Sequence, residues 1–188
     1  MESVKITIRR LSAPEFSMLC PHLVDIYERA MGYSQEDTTR RISTWRSDSR
    51  HRGFNAVIAL SGDIILGVAY GHLGEPSRWW HREVATGLRS SGKKAENYEA
   101  ILRDYFEISE VHVEPAAQGR GIGRALITDL LYLAPASYAL LSTPEVEAED
   151  NLAFGLYRSL GFSDVLRNYC FYGDLRPFAI LGRPLPLS

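Results

Sequence analysis

Three glycines at alternate positions, Gly119, Gly121 and Gly123, follow the alternating stretch Val111-His112-Val113 and a proline at 115. They precede an amphipathic run carrying Leu126, Ile127, Leu130 and Leu131. The order is strand, proline stop, glycine turn, helix. Glycine lets the main chain approach a ligand closely, and the first turn of a helix offers N–H donors at the positive end of its dipole. Arg120 and Arg124 add charge at the same end. The chemistry this pattern predicts is a cradle for a diphosphate. A dinucleotide fingerprint needs G-x-G-x-x-G near the start of a parallel unit, and a triphosphatase loop needs Lys followed by Ser or Thr. Here the spacing is G-x-G-x-G after a long N-terminal half, and Gly123 is followed by Arg124-Ala125, so both fail. A turn without a ligand would have to justify three glycines, each costing about 0.5–1 kcal/mol in regular structure.

A second segment, Asn151-Leu152-Ala153-Phe154-Gly155-Leu156-Tyr157-Arg158-Ser159-Leu160-Gly161-Phe162, carries the other chemically suggestive residues. With V-x-V-x-P-x-x-Q-G-x-G-I-G-R over Val111–Arg124, it resembles the GNAT superfamily of acyl-CoA-dependent N-acetyltransferases. The glycine stretch is close to that family's acyl-CoA signature, and the later one is similar to its N-x-x-x-x-x-L-Y-x-x-x-G-F segment. The two cover residues 105 to 165. The first half resembles the family in its order of elements only: strand, two helices, hairpin.

The resemblance implies acetyl-CoA as co-substrate, no metal, and direct transfer of the acetyl group to a primary amine without an acyl-enzyme. Val111, His112 and Val113 would lie along the pantetheine arm, with a backbone N–H near Val111 meeting the oxyanion. Gln118, Gly119, Arg120, Gly121, Ile122, Gly123 and Arg124 would hold the pyrophosphate through the amides of the turn. Asn151 would touch the cofactor arm, or serve as a helix N-cap, and its type fits both. Tyr157 would donate the proton to the departing thiolate; its alternative is a core aromatic beside Leu156 and Leu160. Glu110 is the candidate general base, and His112, on the same strand face, is the second. Glu107 alternates wrongly with Glu110, so at most one of them faces the cleft of a regular strand.

Elements must position these residues. Val4–Ile8 alternates and reads as a strand, and Pro14 opens a helix with Phe16, Leu19, Leu23 and Ile26 on one face, closing near Gly32. A second helix over 36–51 places Ile42 and Trp45 on one face and arginines elsewhere. Residues 55–60 and 64–73 form a hairpin turning at Ser61-Gly62-Asp63. The connection 75–103 is longer than the family commonly has, and it reads as an insertion for substrate recognition. Within it Ser77 is a candidate N-cap for a helix with Trp80, Val84 and Leu88. Trp79-Trp80-His81 is either an aromatic wall to the acceptor cleft or one core Trp with the other covering a groove. Strands follow at 105–113 and 138–141, helices at 119–134 and 151–160, and strands at 162–165 and 169–172, the last two as a candidate pair. The tail from Asp174, with Pro177, Pro184 and Pro186, is too proline-rich for a central strand throughout. The acidic run Glu145, Glu147, Glu149 and Asp150 either stabilises the next helix N-terminus or attracts a cationic amine.

The fold class that results is α/β of the α+β kind: one domain over 1–188 with a mixed, mostly antiparallel central sheet flanked by helices. With 188 residues, 45% hydrophobic and 23% charged, the chain is an ordinary globular protein. Its net charge of -2 argues against a dedicated nucleic-acid binder, and the arginines of 40–52 read as a solvated helix face. No secretory signal or membrane-spanning stretch is legible. Cys20 and Cys170, both in apolar surroundings, read as buried thiols of a reducing, cytoplasmic compartment. The expected partner is a small-molecule or peptide amine, with a homodimer compatible. The rival readings are a non-catalytic acyl-CoA-binding module and an acetyltransferase acting on RNA-linked or protein amines.

Overall fold

A computed structural model describes residues 5–187, which form two compact units. The first runs to His72 and includes Ile108–Ala134; the second comprises Leu73–Glu107 and the chain from Pro135. Val4, expected to open the first strand, lies outside the described residues.

In the first unit β1 (Ile6–Leu11) pairs antiparallel with β2 (Asn55–Ser61), and β2 with β3 (Ile64–Leu73). Helix α1 (Ala13–Met31) starts with a reciprocal cap. The Glu15 amide donates to Ser12 Oγ at 3.3 Å, and the Ser12 amide donates to the Glu15 carboxylate at 2.8 Å. It ends at Gly32, whose φ of 67° few side chains tolerate. Phe16, Cys20, Leu23 and Val24 of α1 pack with Trp45 of α2 (Thr38–Asp48) and with Ile58, Val68 and Tyr70 of the hairpin. Helix α5 (Ile122–Tyr132) covers the opposite face, where Leu126 and Val113 crowd Gly67. Asn55 Nδ2 donates to the Leu130 carbonyl at 2.7 Å, and Arg10 pairs with Asp129 at 2.8 Å, so β1 and β2 fix the C-terminal part of α5.

The second unit takes the start of β4 (Tyr105–Val113), paired parallel to β5 (Tyr138–Pro144) through Tyr105–Glu107. β7 (Pro177–Pro184) lies antiparallel between β5 and β6 (Ser163–Cys170). Helices α3 (Trp79–Ser90) and α4 (Glu99–Arg103) supply Trp80, Val84, Leu88 and Ile101 to a core shared with Tyr105, Leu140, Val165, Leu166 and Ile180. Helix α6 (Leu152–Ser159) follows β5. A mixed, mostly antiparallel sheet with helices against it is the class the sequence predicts.

Several details differ. Arg78, not Ser77, occupies the N-cap of α3, and the Ser77 carbonyl accepts from Arg82 Nη1 instead. Residues expected as two short strands form the single β6, interrupted near Asn168, whose φ is 53°. β7 is central after all, because Pro177 and Pro184 sit at its two ends and leave the run Phe178–Arg183 free to pair. Cys170 is exposed rather than buried, since the alternation of β6 turns it outward. Cys20 is buried as expected, and burial pushes its thiol up to about 11.

Candidate active site

β4 ends at Val113, Pro115–Ala117 makes one tight turn, and the chain enters α5 through Gly119 and Gly121. Their φ values of 73° and 78° are left-handed, so the sequence needs glycine here for conformation. Among the described residues nothing lies within 4 Å of where a side chain would start at either position. No side chain caps α5 at Gly121, and the first turn of any helix points its N–H groups outward from the helix end. Ala117 and Ile122 are buried anchors, while Gly119, Arg120, Gly121 and Arg124 face solvent. Gln118 Nε2 donates to the Val113 carbonyl at 3.1 Å, and the Glu114 amide donates to the Leu66 carbonyl at 2.8 Å, which pins the turn to the strands. The Glu114 carboxylate, the one negative group beside the turn in sequence, is paired with the guanidinium of Arg29. A helix N-terminus without a side-chain cap, open space at the two glycines and two arginines fit a diphosphate group.

On β4 itself Glu110 and His112 share a face, and His112 Nε2 lies 2.5 Å from Glu110 Oε2. Val113 points to the α5 side, near Gly67 and Leu126. Glu107 belongs to the second unit and is buried with the Arg78 guanidinium 3.9 Å away, so of the two strand glutamates Glu110 is the accessible one. His72, fully buried on β3, sits 3.2 Å from Ser109 Oγ, a pair that no local pattern announces.

In the second unit Asn151 is the N-cap of α6, its Oδ1 accepting from the Phe154 amide at 2.8 Å. Nearly two turns later Tyr157 is buried beside Phe162, with ring centroids 6.0 Å apart. Two members of the acidic run, Glu145 and Glu149, are clamped, while Glu147 and Asp150 are exposed. Arg167 binds Glu145 at 2.7 Å, and Arg158 binds Glu149 at 2.6 Å and Asp164 at 2.6 Å. Hydrogen bonds from Arg167 and Arg158 hold the carboxyls of Glu145 and Glu149 below the usual carboxylate range. The clamp secures a segment in which Ala148 and Glu149 have φ of 53° and 56°. Sequence reasoning missed it, because its arginines come from α6 and β6.

Of the two readings of Trp79-Trp80-His81, the one with a core Trp holds for Trp80. Trp80 is a core residue whose Nε1 donates to Ser142 Oγ at 3.3 Å. His81 Nδ1 contacts the Tyr105 hydroxyl at 3.0 Å, and burial lowers its pKa. Only Trp79 of the three stands half-exposed, against Phe171. The arginines of α2 are engaged locally: Arg40 with Asp37, Arg41 with buried Glu28, Arg46 with the Ser17 carbonyl.

The model of the acetyltransferase (GNAT) domain matches residues 57–164, more than half of the chain and both motif segments. A GCN5-like protein acetyltransferase of Mycobacterium tuberculosis is 42% identical, over 86% of this chain and 89% of its own length. The chain therefore belongs to the GNAT acetyltransferases, and it is an acyltransferase of that family. Two solved structures share its fold. A ribosomal-protein alanine N-acetyltransferase from Escherichia coli has a TM-score of 0.63 at 17% identity, covering 98% of this chain and 96% of that one. The N-acetyltransferase PaiA of Thermoplasma acidophilum, in complex with coenzyme A, has a TM-score of 0.61 at 12% identity, covering 96% and 99%. Among the described residues no helix is long and apolar enough to cross a membrane, and no group of three or more His, Cys, Asp and Glu is placed to hold a metal.

Proposed function

We propose that this protein transfers the acetyl group of acetyl-CoA directly to a primary amine, and that the amine belongs to a protein. The observation that carries the cofactor half is the left-handed glycine turn opening onto an uncapped α5. The protein acceptor is supported by the name of the 42% identical relative, a protein acetyltransferase. Acetyl-CoA supplies an acyl group activated as a thioester, and the residues of this chain bind it and move protons. The amides of Gly119–Arg124 hold the pyrophosphate, with Gln118 bracing the turn from the strand end. The backbone of Val111–Val113 aligns the pantetheine arm, and Asn151 adds a contact while capping α6.

A lysine-like ammonium with a pKa of about 10.4 costs on the order of 4–5 kcal/mol to deprotonate at neutral pH. Glu110, directly or through a water, accepts that proton. The neutral amine nitrogen then forms its bond to the carbonyl carbon, a backbone N–H of β4 steadies the oxyanion, and the carbon–sulfur bond breaks once the nitrogen has released its second proton to water. The sulfur leaves as a thiolate, and the Tyr157 hydroxyl protonates it; an ordinary phenol near 10 is a usable donor to a thiolate whose acid has a pKa of about 8.5. Within the segment 75–103, Trp79 is the residue presented for acceptor choice. The two cysteines are free, which suits a reducing compartment such as the cytoplasm. Following thiol release with a panel of peptide amines and free amines tests the reading. Turnover of a peptide amine, with Tyr157→Phe lowering kcat by about 10- to 1000-fold, is expected. Acetyl-CoA binding without turnover of any amine would mark a binding module instead.

A further inference from the structure

The contact between Glu110 and His112 is not an exposed pair drifting together. His112 presents its ring edge-on to Tyr27 of α1 at 4.7 Å and lies nearly parallel to Trp45 of α2, 18° apart, at 6.3 Å. Its side chain is 9% exposed, against 27% for Glu110. The rings that hold it are themselves held. Tyr27 and Trp45 are 5.7 Å apart, the Arg41 guanidinium sits over Tyr27 at 5.7 Å, and Arg41 is fixed by the buried carboxylate of Glu28 at 2.7 Å and by the Ser34 carbonyl. Thr38 Oγ1 donates to the same carboxylate. The imidazole thus has few orientations open to it, and Glu110 Oε2 is where its Nε2 points. A glutamate that is to accept a proton must be ionised and can then only accept a hydrogen bond, so the tautomer that completes this contact is the one with its proton on Nε2.

We propose that His112 is a positioning residue for the proton acceptor: it fastens one oxygen of Glu110 so that the other is presented to the incoming amine or its bridging water. The proposal rests on the reading of Glu110 as general base. A glutamate on a strand has three rotatable bonds, and freezing them at the moment of reaction costs barrier height; a hydrogen bond made beforehand from a ring locked between two helices removes that cost. The same arrangement explains why His112, central to a glycine-motif strand, packs its side chain among α1 and α2 while its backbone remains for the cofactor.

Two measurements test it. Proton-coupled 15N spectra of the imidazole read where the proton sits and need neither cofactor nor acceptor. Nε2–H in the wild type, lost or shifted in Glu110→Gln, is expected; an Nδ1–H tautomer insensitive to Glu110 overturns the proposal. Kinetics with the amine turned over by the wild type supply the second. His112→Phe keeps a ring between Tyr27 and Trp45 but removes the donor, and should lower kcat about 10- to 100-fold with KM for acetyl-CoA unchanged. His112→Gln, which restores an N–H donor, should recover much of the loss. Adding His112→Phe to Glu110→Gln should cost little more. Full kcat in a folded His112→Phe, or equal losses in the Phe and Gln variants, would overturn it. If His112→Phe does not fold, the wild-type tautomer and the Gln variant decide. If no amine is turned over, the proposed function fails separately, and the nitrogen spectra still judge the pair.

Discussion

Gly67→Ala is a one-carbon change whose effect can be worked out from the structure. Gly67 lies on β3 where β4 approaches, and a Cβ there would sit 2.9 Å from the His112 carbonyl oxygen, 3.1 Å from Leu126 Cδ1 and 3.4 Å from Val113 Cγ2. The closest atom is backbone, which cannot swing aside as a side-chain tip can. Relief must come from moving the end of β4 or the first turns of α5, the two elements that carry the glycine turn. Overpacking of this kind costs about 1–3 kcal/mol, and at roughly 2–4 °C per kcal/mol for a chain of this size the melting temperature should fall by about 5 °C. Coenzyme A should also bind more weakly, because the turn moves with its anchors. Gly155→Ala is the control. Gly155 lies within α6, nothing described comes within 4 Å of its would-be Cβ, and alanine should stabilise by about 0.5–1 kcal/mol. Thermal denaturation followed by circular dichroism reads both. A Gly67→Ala protein that melts at or above the wild type would refute the close strand approach.

Three further outcomes follow from the same structure. Asn151→Ala removes the α6 cap and should cost about 1 kcal/mol in chemical denaturation; an unchanged coenzyme A affinity would show that Asn151 is a cap alone. In the native protein one thiol, Cys170, should react with a disulfide reagent, and both should react in denaturant; rapid labelling of native Cys20 would contradict its burial. The Glu145 carboxyl is lowered in the fold by Arg167, so its stabilisation is present above the unfolded carboxylate range near 4.3 and lost as pH falls below it. The acid limb of the stability profile should therefore flatten in Glu145→Gln, and an unchanged limb would show that the pair contributes nothing.

The parts of this molecule that were legible in the sequence are those whose cause is local. The glycine turn is written in consecutive residues, as are the cap at Asn151, the C-terminal Gly32 of α1 and the apolar spacings of α1, α3 and α5. Glu110 and His112 could be placed on one face because strand alternation is local too. What escaped depends on partners far along the chain. The choice between wall and core for Trp80 and His81 stayed open in the sequence because nothing nearby reveals Ser142 or Tyr105 as their partners. Glu145 and Glu149 read as helix-terminus or amine-attracting charge, and not as an arginine clamp, because Arg158 and Arg167 lie 9 to 22 residues further on. β7 looked too rich in proline because only the ladder shows its prolines at the ends.

Comparing coenzyme A with pantetheine by calorimetry puts the diphosphate cradle to its most direct test. The two ligands share the arm that would lie along β4, and only one brings phosphates to the amides of Gly119–Arg124. Hydrogen bonds to charged groups contribute about 1.5–3 kcal/mol each, so two of them predict at least a hundredfold tighter binding for coenzyme A. Equal affinities, or no heat from coenzyme A with a folded sample, would contradict the account.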